Sequence, residues 1–195
     1  MDKKNNDDIK TVCRALINTK TDDNSDYDFE CVATPVQNSQ TRFNWEKDEY
    51  FEQILKVGTE NIDVSRLQSG LPLFDNHTWD KSASETLGIT TDYIIDERGL
   101  VVRVKLGARA DEALRSDIKN GIIKTVSIEG CVNRYSVQRN FNEIPKYYAE
   151  LWTPESLSFA PVPNDIGAQI EVQRKIQRQL AGVDESQINK LITKF

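Results

Sequence analysis

The only histidine of the chain, His77, stands in the run Leu-Pro-Leu-Phe-Asp-Asn-His-Thr-Trp, and fifty residues later Ser127 lies in Ile-Ile-Lys-Thr-Val-Ser-Ile-Glu-Gly. Imidazole is the one side chain whose unperturbed charge change falls near neutral pH. A serine hydroxyl is a weak nucleophile until an adjacent base takes its proton as it attacks a carbonyl. The pair therefore has the types needed for acyl transfer, with a third group to hold the imidazole and backbone amides to hold the oxyanion. Spacing alone does not show that the two meet, and a lone His beside Asp and Asn is more often a solvated loop residue.

The elements around them follow from hydrophobic periodicity. Residues 71–74 read as a short apolar strand that places His77 at or just beyond its end. Residues 122–132 read as a strand in which Thr125, Ser127 and Glu129 share one face while Val126 and Ile128 take the other. Between them, residues 87–91 and 93–95 are strand-like, and the turn at 96–99 leads into residues 100–106, where Val102, Val104 and Leu106 alternate with Arg103 and Lys105. Residues 108–120 carry Asp111 and Glu112 in a first turn, Lys119 in a last turn and Gly121 just beyond, which predicts a helix.

Earlier in the chain, residues 11–17 and 29–36 are strand candidates separated by a polar loop. Residues 46–57 place Tyr50, Phe51, Ile54 and Leu55 at helical spacing behind an Asn44 cap, which predicts an amphipathic helix. One or two strands are expected in 147–152 and 156–162. Beyond Asp165 the pattern turns helical, restarting after Gly182.

Composition bounds the class. The 195 residues carry 25 Lys and Arg against 31 Asp and Glu, a net charge of −6. That balance argues against nucleic acid as a partner, because non-specific affinity for phosphate comes from clustered cations. No apolar run approaches the roughly 18 residues that a membrane helix needs, and the polar N-terminus lacks the apolar centre of a signal peptide. A soluble protein made in the cytoplasm, with no membrane partner, is the expectation. Cys13, Cys31 and Cys131 are odd in number and far apart, so neither a disulfide framework nor a metal clip is read from them.

Taken in order, Leu-Pro-Leu-Phe-Asp-Asn-His77, Leu87-Gly-Ile, Asp-Glu-Arg-Gly-Leu100, Ile118-Lys-Asn-Gly-Ile-Ile-Lys-Thr-Val-Ser127-Ile and Trp152-Thr-Pro-Glu-Ser-Leu-Ser-Phe-Ala-Pro-Val-Pro163 resemble the tailed-phage prohead (head maturation) serine proteases, relatives of the herpesvirus assemblins. The resemblance covers about residues 29–168. It implies an α+β, mainly β fold, a small closed β-barrel flanked by helices; the polar composition of 1–28 and the helical spacing of 169–195 add a flexible segment before it and a helical tail after it. It also implies a serine endopeptidase, with His77 as general base and Ser127 as nucleophile and no cofactor. Its substrates would be the phage major capsid protein, the scaffold protein and itself, cleaved inside the immature procapsid in the host cytoplasm. Homo-oligomerisation is left open.

The third residue departs from the family pattern. Ser156 stands where the family has Glu, and Glu155 precedes it. An offset of one residue turns a strand side chain to the other face unless a bulge compensates. Glu155, reached through such a bulge, is the first candidate, ahead of Asp75 and then Glu129. Two rival readings remain: a catalytically inactive capsid- or scaffold-associated protein of the same fold, and an unrelated host protease domain. Trp79 and Trp152 read as packing anchors, and Glu129 reads more simply as a solvated strand residue.

Overall fold

Runs rich in Val, Ile, Phe and Tyr that alternate with polar residues fit a pleated, half-buried surface, and they dominate this chain. The computed structural model describes residues 26–76 and 82–160 in full and 10–19 as backbone. In chain order the strands are β1 (Lys10–Thr19), β2 (Phe29–Pro35), β3 (Gln40–Asn44), β4 (Glu49–Leu55), β5 (Pro72–Phe74), β6 (Gly88–Asp96), β7 (Gly99–Leu106), β8 (Thr125–Gln138) and β9 (Lys146–Phe159). Helix α1 (Ser65–Ser69) precedes β5, and α2 (Glu112–Lys119) precedes β8.

All nine strands join one sheet in the order β3-β4-β9-β5-β6-β7-β2-β1-β8. Strand β8 also pairs antiparallel with β9, from Val126 opposite Phe159 to Gln138 opposite Lys146, so the sheet curls over its apolar face. On its other side β9 runs parallel to β4 through residues 146–149 and parallel to β5 at Leu157 and Ser158. The enclosed face buries Phe29, Leu73, Val102, Val104, Val126, Ile128, Trp152, Leu157 and Phe159, each 2% exposed or less. Each such side chain contributes about 1.5–3 kcal/mol through removal from water. The indole of Trp152 is fully buried, and its Nε1 donates to the carbonyl of Lys56 at 3.0 Å, so it does anchor packing.

The expected closed barrel flanked by helices is corrected by this arrangement. The described residues are mainly strand, and their nine-strand sheet keeps a free edge at β3, which pairs only with β4. Helix is confined there to five residues in α1, eight in α2 and a short 3-10 turn at Ala83–Glu85. One physical cause is the segment expected to be a helix over 46–57. Phe51, Gln53 and Leu55 are buried on alternate positions of β4, a period of two rather than 3.6. The Asn44 side chain does accept backbone N–H groups, from Glu46 at 3.0 Å and Lys47 at 3.2 Å, but this closes the β3–β4 turn instead of starting a helix.

Other elements fall close to their expected places. Strand β1 lies between β2 and β8, so the N-terminal segment expected to be flexible over 1–28 supplies part of the sheet. Asp111 caps α2 through the Leu114 N–H at 2.8 Å, and Gly121 follows with φ +71°. The one or two strands expected in 147–152 and 156–162 form one strand, β9, that runs through Pro154. The expected helical tail lies outside the described residues.

Candidate functional site

Ser127 sits in the first half of β8, between β1 and β9, where the apolar residues Val126 and Ile128 fix the strand in the core. Antiparallel pairing sets side chains of directly opposed residues on the same face. Ser127 is opposite Ser158, and Glu129 is opposite Ser156, so these four polar residues form one row of two pairs. The row lies between strands whose other positions, Ile128, Leu157 and Phe159, are buried hydrophobics.

Three of the four have visible partners. Ser156 Oγ donates to Glu129 Oε2 at 2.9 Å, and Ser158 Oγ donates to the carbonyl of Asn76 at 3.2 Å. Ser127 Oγ is fully buried with no hydrogen-bond partner among the described residues. A buried hydroxyl without a partner carries a desolvation penalty of about 1–3 kcal/mol, and such groups are rare enough to call for a reason.

His77 lies outside the described residues, as does Trp79. Its predecessor Asn76 is described, and the Asn76 carbonyl is held by Ser158, the residue directly opposite Ser127. The chain therefore enters the histidine segment from beside the serine's own strand pair. Strand β5 ends at Phe74, so the continuation that would put Asp75 on one face with His77 is missing, and Asp75 is exposed.

The bulge invoked for Glu155 is present. Glu129 pairs with Ser156 while Gly130 pairs with Pro154, which leaves Glu155 as the extra residue. A Cβ on Gly130 would lie 2.4 Å from the Thr153 carbonyl, so glycine lets the two strands approach there. Pro154 has no N–H to donate, and a bulge is where a strand tolerates this. The Glu155 carboxylate, however, meets Arg66 of α1 at 3.4 Å. Nearby, Asp63 is held below the usual carboxylate range, chiefly by hydrogen bonding from Ser65, with Thr153 adding a further bond.

Ser158 was not singled out in the sequence. The signal for it is the Ser-x-Ser spacing of 156 and 158 inside an apolar strand, which places both hydroxyls on one face. Glu129 is half-buried and hydrogen-bonded rather than simply solvated. Cys31 and Cys131 form no disulfide, and among the described residues no group of three or more His, Cys, Asp or Glu could hold a metal. Comparison with protein-family models, with curated proteins and with solved structures finds no match.

Proposed function

We propose that the chain is a serine endopeptidase of the phage head-maturation type, with Ser127 as nucleophile and His77 as base. The observation that carries this reading is the fully buried hydroxyl of Ser127, between buried Val126 and Ile128 and without a hydrogen-bond partner among the described residues, at the position that the family resemblance assigns to the nucleophile. Packing alone does not call for a hydroxyl there, since alanine would leave no unsatisfied polar atom, whereas acyl transfer requires one.

In the reaction, Ser127 Oγ attacks the scissile carbonyl and passes its proton to His77. The imidazolium returns that proton to the leaving amine as the C–N bond breaks, and water then cleaves the acyl-enzyme by the same route. Substrates are the capsid and scaffold proteins and the chain itself. Acylation requires a carbonyl at Ser127 Oγ, so the burial of this atom has to be relieved when substrate binds.

That same burial favours a second reading, a capsid- or scaffold-associated protein that keeps the strands and has lost the activity. Co-expression with phage capsid and scaffold proteins, read as band sizes on gels, separates the two. Ser127→Ala and His77→Ala are each expected to abolish processing while the protein stays folded, because members of one nucleophilic unit act together. Near wild-type processing by either variant would end the assignment.

A further inference from the structure

We infer that the free edge of β3 is where a second copy of this chain docks, by antiparallel β3–β3 pairing about a two-fold axis. Among the described residues β3 pairs with β4 alone, so its outer side has no strand beside it. Which backbone groups point that way follows from the next strand in. Glu52 donates its N–H away from β3, to the Pro145 carbonyl at 2.9 Å, and Lys56 donates likewise to the Ala149 carbonyl at 3.3 Å. Backbone direction alternates along an antiparallel ladder and is matched between opposed residues. Thr41, opposite Glu52, and Phe43, opposite Tyr50, therefore turn N–H and C=O to the open side, while Gln40, Arg42 and Asn44 face β4.

A free strand edge is a template for another strand, and proteins commonly blunt it with Lys, Pro or a bulge. Strand β3 reads Gln-Thr-Arg-Phe-Asn, with neither Lys nor Pro, and its register with β4 is unbroken. An aromatic cluster stands beside this edge. Phe43 packs edge-on against Trp45 and Tyr50, with ring centroids 4.7 Å and 4.9 Å away. Trp45 is 86% exposed and Tyr50 62%, so the cluster is largely in water.

A second copy fits both features at once. With Phe43 on the two-fold axis, it exchanges two N–H···O bonds with its counterpart, and Thr41 comes opposite Trp45 of the second copy. The two aromatic clusters then share a face and extend each other. Centring on Arg42 instead would set two guanidinium groups directly opposite, which is unfavourable, whereas the Phe43 register sets Arg42 opposite Asn44. An aromatic side chain carries roughly 150–250 Å², so Trp45, part of Tyr50 and the strand edge together cover about 500 Å² per copy. About 1,000 Å² in all is the lower bound for a specific interface, so the dimer is expected to form at micromolar concentration. The docking edge stands beside residues 146–149 of β9, whereas Ser127 faces Ser158, about 30 Å farther along an extended strand. Dimerisation therefore does not depend on the protease reading.

The test is sedimentation equilibrium of the full chain over about 1–500 µM. Wild type is expected to move from one chain mass to two and no further, because two-fold pairing consumes the edge. Thr41→Pro removes an outward N–H that β4 does not use, so it is expected to melt near wild type and to weaken the dimer at least tenfold. Trp45→Ser is expected to weaken it at least tenfold as well. Phe141→Ser, at an equally exposed aromatic in the β8–β9 turn, is expected to leave it unchanged. Should Thr41→Pro not fold, Thr41→Lys places a charge at the same exposed position on the edge and carries the same tenfold expectation. A wild-type chain that stays monomeric throughout, even if it captures an added extended peptide, would overturn the inference. So would assembly beyond the dimer, wild-type affinity in a folded Thr41 variant, or an equal loss in Phe141→Ser.

Discussion

Ser127 and Ser158 are directly opposed, equally buried and chemically identical, yet only one of them has a visible hydrogen-bond partner. Replacing each by alanine should therefore change stability in opposite directions. Removing the Ser127 hydroxyl relieves an unsatisfied buried polar group, worth about 1–3 kcal/mol. Against this stands the lost packing of one oxygen, a handful of contacts at about 0.1–0.2 kcal/mol each, or on the order of 0.5–1 kcal/mol. The net expectation for Ser127→Ala is a gain of about 1 kcal/mol. For Ser158→Ala the 3.2 Å bond to the Asn76 carbonyl is lost, and a destabilisation of about 0.5–1.5 kcal/mol follows. At this size of protein, 1 kcal/mol moves the melting temperature by about 2–4 °C. Urea melts with a shared m-value, alongside calorimetry, resolve the difference. If Ser127→Ala loses stability as Ser158→Ala does, the Ser127 hydroxyl has a partner in solution, and the argument from its isolation fails.

Three further outcomes can be checked by the same melts. Gly99→Ala should destabilise strongly, by more than about 2 kcal/mol, because Gly99 has φ +131° and a Cβ there would lie 2.0 Å from the Thr34 carbonyl; an unchanged midpoint would contradict the tight β6–β7 turn. Asp96 is held below its ordinary value of 3.8, first by the hydrogen bond from Arg98, so its ionised form adds stability above that value that is lost as pH falls through the lower folded value. Asp96→Asn should then be less stable than wild type at pH 7 by under about 1 kcal/mol, with the difference closing below pH 3.8; a gap that persists in acid would point to something other than charge. Phe141, 93% exposed in the β8–β9 turn, should accept Ser within about 0.5 kcal/mol, and a larger loss would place it in a contact.

Much of the sheet could be read from the sequence because its strands alternate cleanly. Residues 100–106 and 122–132 were expected as strands and lie within or overlap β7 and β8, and the helix of 108–120 shortened only to Glu112–Lys119. The failure at 46–57 has a definite source. Tyr50, Phe51, Ile54 and Leu55 satisfy a helical stripe as well as a strand with apolar residues on both faces, and only the pairing of β4 with β3 and β9 decides between them. The gap expected between 152 and 156 is absent, because the bulge beside Gly130 lets β9 run through Pro154. The row of Ser127, Glu129, Ser156 and Ser158 was half legible: alternation puts each pair on one face of its own strand, but the register that sets the pairs opposite one another is a tertiary fact. The open edge at β3 had no local signal at all, since residues 37–45 show neither a clear period nor a motif.

Strand β9 borders β8 on one side and both β4 and β5 on the other, and this sets the order of events as the protein is made. Strands β6 and β7 are hairpin neighbours and can meet early, but β4 waits for residues 146–149 and β5 for Leu157 and Ser158. Pairing of β1 with β8 spans more than a hundred residues. Contacts so distant along the chain slow folding, because the intervening loop must be closed before they are rewarded. A chain still being synthesised therefore holds unpaired strand edges until the β8–β9 hairpin emerges. For a protein of this topology, a low number of unfinished chains at any moment lowers the chance that two such exposed edges pair with each other.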